Sequence, residues 1–461
     1  MPNIEFWGGV GTVTGSKYLV NTDKAHVLVD SGLFQGLKEL RERNWKEPPF
    51  DPRSLTAVLI THAHIDHTGY LPRLVRHGFS GPVYCSRGTA DLLKILLPDA
   101  GRLQEEEADY RNRHKLTKHT PALPLYTEKD AFAALELLRP VANTGEPVEL
   151  APGIQGSFRI AGHILGSSLV LLEVDGLRVL FSGDLGHYDQ PIIRDPTPPP
   201  GCDYLLVEST YGDRLHDPED PKVALTRIIK DAAQRQAPVL IPAFAVGRTQ
   251  EIVYLIRELE DEHAIPIMPV TVDSPMAAAA TTAYANRREE HDEDYASILT
   301  KQRHPLRTHS MNTASSKQES KRLNDAKGAR VIISASGMMT GGRVLHHALR
   351  MVPDPDATIV FVGYQAAGTT GRRILDGEPE VKILGQWVPV RCRVAKIGGF
   401  SAHADWKEVL RWLEGMKDGR PRQTFLTHGE PEAANAMAGH IKERFGWNVH
   451  VPQYGERVEL V

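Results

Sequence analysis

Short apolar runs separated by turn residues dominate the first part of the chain. Ile4-Glu5-Phe6, Tyr18-Leu19-Val20 and His26-Val27-Leu28-Val29 read as strands joined by glycine turns, and Ala57-Val58-Leu59-Ile60 as a buried strand. Val83-Tyr84-Cys85 predicts another, with helical segments following to about residue 140. The strand pattern resumes at Phe158-Arg159-Ile160. Residues 169–174 and 178–182 then flank Asp175-Gly176, a strong hairpin signal. A proline-rich stretch at 195–201 cannot be helix or central strand, and Tyr204-Leu205-Leu206-Val207 follows it as a strand. The rhythm changes after that. Apolar runs at 239–242, 269–272, 330–333 and 358–362 alternate with helical stretches, clearest at 249–262. Such alternation predicts a second α/β unit with a parallel sheet. Strand 394–397, a helix at 406–416, strand 423–427 and a last helix complete the pattern.

Chemistry collects where these strands end. Residues 61–69 read Thr-His-Ala-His-Ile-Asp-His-Thr-Gly and place His62, His64, Asp66 and His67 directly after an apolar strand. Imidazole and carboxylate suit zinc, iron or manganese. An extended chain would carry His62, His64 and Asp66 on one side, with a turn at Thr68-Gly69 redirecting His67. A solvated loop that happens to be histidine-rich is the alternative, and three imidazoles at this spacing argue against it. Asp30 also ends a strand and reads as a carboxylate that orients a metal-binding His. His163 stands in a glycine-flanked loop. Asp184 follows a strand as His62 does, and two metal ions about 3.5–4 Å apart would need such a bridging carboxylate. Glu208, His403 and His428 also follow apolar runs or glycine loops. In the second unit the loops pair glycine with arginine or serine at Arg248, Ser336, Arg343 and Arg372. Glycine lets a backbone approach a phosphate while a guanidinium forks onto it.

Composition narrows the alternatives. A chain of 461 residues with 41% apolar content is globular and long enough for two domains. A net charge of −4 advertises no global basic field, so any nucleic-acid surface must be local. Cys85, Cys202 and Cys392 are isolated, which suggests neither thiolate zinc site nor disulfide framework. Neither a signal peptide nor a membrane span is visible, and a cytoplasmic location is expected.

The motif at 61–69, with His163 and Asp184, resembles the metallo-β-lactamase superfamily. Glu208 in Glu-Ser-Thr-Tyr-Gly, His403 in Gly-Phe-Ser-Ala-His-Ala-Asp and His428 in Leu-Thr-His-Gly-Glu resemble the extra motifs of its β-CASP nuclease branch. The likeness runs nearly the length of the chain and looks closest to prokaryotic homologues of the pre-mRNA 3′-end cleavage endonuclease. It implies an αββα sandwich with an inserted α/β β-CASP domain, bounded as 1–208, 209–385 and 386–461. It implies two zinc ions per chain. His62, His64 and His163 would hold one, Asp66, His67 and His428 the other, and Asp184 would bridge, with Asp30 in support. His428 goes with RNA rather than DNA substrates in this branch.

The expected activity is hydrolysis of single-stranded RNA to 5′-phosphate and 3′-hydroxyl ends, read as endonucleolytic, with the RNA held in a cleft between the domains. Asp66, Glu208 and His403 are the expected catalytic residues, His403 as general acid held by Glu208. The rivals are a 5′-exoribonuclease, a DNA nuclease, a small-molecule metallo-hydrolase and an inactive scaffold. The partner is single-stranded RNA, no membrane is involved, and a homo-oligomer is allowed.

Overall fold

The computed structural model describes residues 1–116, 119–300, 304–363, 365–366, 368–416 and 419–461. The chain divides into two compact units. The first comprises Met1–Gln190, Arg194–Leu215 and Ala402–Val461, and the second Pro191–Ile193 and His216–Ser401.

The first unit is built on two seven-stranded sheets. One runs, edge to edge, Arg457–Glu459, Asn3–Gly8, Lys17–Asn21, His26–Val29, Ala57–Leu59, Val83–Ser86 and Leu138–Val141. It is antiparallel up to His26–Val29 and parallel beyond. The other runs Val449–His450, Gln423–Thr427, Tyr204–Glu208, Leu177–Phe181, Ser168–Val174, Ile154–Ile160 and Val148–Ala151. The Asp175-Gly176 hairpin joins two of these strands, with Asp175 at φ +50° as a tight turn requires.

One apolar core joins the sheets face to face. Ile4, Phe6, Val27, Val29 and Leu59 of the first meet Phe158, Val170, Leu172, Phe181, Leu206 and Phe425 of the second. The far side of the second sheet packs against helices Trp406–Glu414 and Pro431–Phe445 through Leu205, Val207, Trp412, Met437 and Ile441. Helix Arg87–Arg113 packs beside strands Val83–Ser86 and Leu138–Val141 of the first sheet. These layers give the expected αββα sandwich. Truncating a side chain such as Phe158, fully buried, would cost about 3–5 kcal/mol.

The second unit carries a six-stranded parallel sheet, ordered Met311–Thr313, Val270–Asp273, Arg330–Ser334, Pro238–Pro242, Thr358–Phe361 and Arg393–Lys396. Its three central strands, 330–334, 238–242 and 358–361, are almost wholly buried, as expected where helices cover the faces of a parallel sheet. Strand Arg393–Lys396 and the hairpin Glu380–Ile383 with Gln386–Pro389 extend this unit past residue 385. They are short and half exposed, so no strong apolar run announces them. Among the described residues, no helix is long and apolar enough to cross a membrane.

Candidate metal centre

Strand direction explains why residues so far apart in sequence converge. Strands 26–29 and 57–59 are parallel, so Asp30 and the loop from Thr61 leave the same edge of the first sheet. In the second sheet, 177–181, 204–208 and 423–427 are mutually parallel and deliver Asp184, Glu208 and His428 at one edge. Strand 154–160 is two antiparallel steps from 177–181, so it runs the same way and delivers His163. The two edges meet closely. A Cβ on Gly183 would lie 2.8 Å from the Cβ of Thr61, and the Ser168 amide donates to the Thr61 carbonyl at 2.8 Å.

The turn in the histidine motif begins earlier than its alternation suggests. Helical residues Ile65–Thr68 start directly after His64. Thr68 Oγ1 donates to the His64 carbonyl at 2.9 Å, and the His67 amide donates to the same oxygen at 3.0 Å. Asp66 and His67 therefore project from a helical turn instead of continuing the extended run, which brings the His67 ring to 4.1 Å from that of His62 between centroids. The motif is divided between two groups of donors.

In the first group, His64 Nδ1 lies 3.1 Å from His62 Nε2 and 3.2 Å from His163 Nε2. Asp184 Oδ2 lies 3.4 Å from His62 Nε2 and 3.7 Å from His163 Nε2. Tetrahedral zinc with bonds near 2.0–2.1 Å has donor–donor edges of roughly 3.4 Å, so this set fits one ion. In the second group, His67 Nε2 is 3.3 Å from Asp184 Oδ1, and His428 Nε2 is 3.5 Å from Asp66 Oδ2. His67 Nε2, His428 Nε2 and Asp184 Oδ1 are buried without a hydrogen-bond partner. Buried polar atoms are ordinarily satisfied, and a cation among them would satisfy all three. Both groups can hold a metal ion.

Hydrogen bonds outside the donor set fix which imidazole nitrogen faces inward. His67 Nδ1 donates to Asp30 Oδ2 at 2.7 Å, and Asp30 also accepts from the Thr61 amide and hydroxyl. His163 Nδ1 donates to the Ala402 carbonyl at 3.1 Å. His62 Nδ1 and His428 Nδ1 donate to the hydroxyls of Thr61 and Thr210, each at 3.1 Å. Such partners lock the ring and tautomer of a ligand. Asp30 and His428 hold φ of +61° and +49°, left-handed conformations that non-glycine residues avoid unless their surroundings impose them.

The electrostatics are those of a cation site. Burial, reinforced by neighbouring imidazoles, pushes His62 and His163 well below the usual histidine range, and burial lowers His64. These rings are neutral and their lone pairs available. Burial opposes charge on Asp66 and Asp184 as well. His428 nevertheless holds Asp66 down to about 2, and His428, His67 and His62 hold Asp184 well below the carboxylate range. His67 goes the other way: burial disfavours its charge, but Asp184 and Asp30 outweigh it and raise it well above its usual value. The carboxylates thus draw a positive charge into the pocket, and a divalent ion would take the place of the proton on His67.

Beside this cluster, Glu208 accepts from His403 Nδ1 at 3.1–3.2 Å and from the Leu185 amide at 2.6 Å. His403 is anchored through the amide of Ala404 donating to the Leu185 carbonyl. Burial opposes its charge, but Glu208, with Asp184 and Asp66, raises it to about 9. The sequence reading missed Thr61, Thr210 and the Ala402 carbonyl as orienting groups, because hydroxyls and backbone oxygens carry no distinctive pattern.

Arg248, Ser336, Arg343 and Arg372 lie in the second unit, in loops leaving its parallel strands or at the starts of the following helices. Arg248 pairs with Glu251 and lies over the ring of Phe400. Ser336 Oγ is 3.1 Å from Thr340 Oγ1, and Arg372 Nε donates to Asp376 at 2.8 Å. Arg343 is the most heavily engaged of the four. It donates to the buried Asp273 at 2.7 Å and to the carbonyls of Ala314 and Ser315, which makes it a strut inside the unit rather than a free cation.

A two-sheet sandwich with a histidine–aspartate cluster at its shared edge defines a metal-dependent hydrolase. Family models match along the chain: the metallo-beta-lactamase superfamily at residues 10–242, the Beta-Casp domain at 249–374, and a Zn-dependent metallo-hydrolase RNA specificity domain at 387–452. The Thermus thermophilus protein named Ribonuclease TTHA0252 is 38% identical over 98% of this chain and 99% of its own length. The Methanocaldococcus jannaschii transcription termination factor FttA is 30% identical over 97% of this chain and 70% of its own. A protein of unknown function from Enterococcus faecalis shares the fold, with a TM-score of 0.58 at 16% identity over the whole of both chains. The chain belongs to the metallo-β-lactamase superfamily, in its β-CASP ribonuclease branch.

Proposed function

We propose that this protein is a zinc-dependent ribonuclease that cuts phosphodiester bonds of single-stranded RNA. The observation that carries the two-metal reading is the bridging position of Asp184, with Oδ2 toward His62 and His163 and Oδ1 toward His67. His62, His64 and His163 would hold one zinc ion, and Asp66, His67 and His428 the other. When bound, the ions supply a nucleophile at neutral pH and neutralise charge on the phosphate. This chain's own groups do the rest. Asp30 and Thr61 hold His67 and His62 in the tautomers that face inward. His403, charged through Glu208, presents an acidic proton that a leaving 3′-oxygen would take. Cleavage there leaves 3′-hydroxyl and 5′-phosphate ends.

The test uses purified full-length protein, reconstituted with zinc and measured for bound metal. It is then incubated with internally and end-labelled single-stranded RNA and DNA. About two zinc ions per chain and RNA-selective cleavage are expected. His64→Ala should lose metal and activity, whereas His403→Ala should lose activity and keep the metal. Zinc lost from His403→Ala, with cleavage intact in His64→Ala, overturns the assignment.

A further inference from the structure

One large ring in the second unit is displayed where a buried segment would be expected to hide it. Strand Pro238–Pro242 continues into Ala243-Phe244-Ala245-Val246. Ala243, Ala245 and Val246 are buried, yet Phe244 is 48% exposed. Among the described residues, no other ring and no cation lies over it. This is unlike Tyr454, which stacks with Arg43, or Trp387, which lies under Arg373.

The backbone that carries the ring is tied down on both sides. The Ala243 amide donates to the Ser334 carbonyl at 3.1 Å, and the Phe244 carbonyl accepts from the Thr249 hydroxyl at 2.7 Å. One side of the ring rests on glycine backbone. A Cβ on Gly337 would come within 3.4 Å of its Cδ2, and one on Gly363 within 3.9 Å of its Cε2. Buried Gln365 donates to the carbonyls of both glycines and so ties those two loops together.

The position in the topology is the second observation. Strand 238–242 lies between 330–334 and 358–361. The chain leaving 238–242 crosses to 270–273, beyond 330–334, whereas the chain leaving 330–334 crosses to 358–361 in the opposite direction. Each connection passes over the other's strand, so right-handed crossovers carry the two to opposite faces of the sheet, and loops that leave neighbouring strands toward opposite faces open a crevice at the carboxyl ends where α/β sheets bind ligands. Phe244 and Ser336 both stand there, each two residues past the end of its strand.

We propose that Phe244 is a stacking platform for one base of single-stranded RNA, a subsite carried by the second unit; this rests on the ribonuclease reading above. An exposed ring on an anchored backbone suits any base, because every base offers a π-face, and it suits unpaired bases only, because a duplex keeps its bases stacked on one another. Stacking on one such ring is worth about tenfold or more in affinity.

The experiment uses the full-length zinc-loaded protein. Cleavage of labelled single-stranded RNA is scored first, and no cleavage removes the ribonuclease reading itself. Binding is then measured in the His403→Ala background, so that the RNA stays intact, with oligouridylates carrying one 2-aminopurine moved along the strand. The fluorophore should be quenched at one position in the protein with Phe244 and in Phe244→Trp. Phe244→Leu, which keeps an apolar side chain of similar bulk, should lose the quenching and bind about tenfold or more weakly, with an unchanged zinc content and melting curve. Quenching at no position, or equal affinity for the Leu and Phe forms in a protein that does cleave RNA, overturns the platform and leaves the ribonuclease assignment standing.

Discussion

Single side chains at the metal centre differ in what they control. Asp30 touches His67 rather than the cation pocket, and its φ of +61° is maintained by the sites it satisfies. In Asp30→Asn the amide would turn an N–H toward the His67 Nδ1–H, favouring the wrong tautomer. A loss of about 10–100-fold in zinc affinity is expected, measured by competition with a chelator; wild-type affinity in the variant would refute the role. In the mechanism proposed above, His403 would supply the proton. Its pKa is raised, so the charged, proton-donating form is present below about 9 and is lost as pH rises through that value. The alkaline limb of the rate profile should therefore reflect His403. In Glu208→Gln it should move to lower pH, toward an ordinary imidazole, with metal content unchanged. A limb that stays in place removes Glu208 from this role. These residues were legible in the sequence because each follows an apolar strand or stands in a glycine-flanked loop. Their orienting partners were not: His163 meets a carbonyl 239 residues away and His428 a hydroxyl 218 residues away.

At the scale of elements, the buried strands were readable because their runs are apolar, while their order in the sheets was not. Nothing in the local pattern says that 423–427 returns to lie beside 204–208, or that 457–459 pairs with 3–8. The 65–68 turn was misplaced because alternation looks the same until Thr68 closes it on His64. In the second unit, glycine next to arginine suggested phosphate contact, yet Arg343 braces Asp273 together with His347 and Ser320. Asp273 is fully buried, so removing its cation leaves a carboxylate poorly compensated. Arg343→Met should destabilise this unit by about 3 kcal/mol, the lower end for a broken buried pair because the guanidinium keeps some solvent contact. Burial opposes the charge on Asp273, but His347, Ser320 and Arg343 hold its pKa below the usual value. Its stabilisation is therefore lost as pH falls through that lowered pKa, and Arg343→Met should move acid unfolding to higher pH. Weaker RNA binding with an unchanged melt would instead return Arg343 to the phosphate role.

For the whole molecule, two units with separate cores imply separable responses to metal. The sandwich holds all seven residues proposed above as zinc ligands, His62, His64, Asp66, His67, His163, Asp184 and His428, whereas the parallel-sheet unit holds none of these seven. Without a cation, the sandwich keeps buried donors and acceptors unsatisfied at His67, His428 and Asp184. A ligand that binds only the folded form stabilises it by RT ln(1 + [L]/Kd), about 2.7 kcal/mol at a hundredfold excess over Kd. For a unit of this size that is on the order of 5–10 °C in melting temperature. Calorimetry with and without a chelator should therefore show one transition that falls by that much and one that hardly moves. His64→Ala should abolish the metal dependence of the first, and Arg343→Met should lower only the second. A single transition carrying both responses would mean that the two units unfold as one, and a melt indifferent to zinc in both would mean that the clustered histidines hold no tightly bound metal.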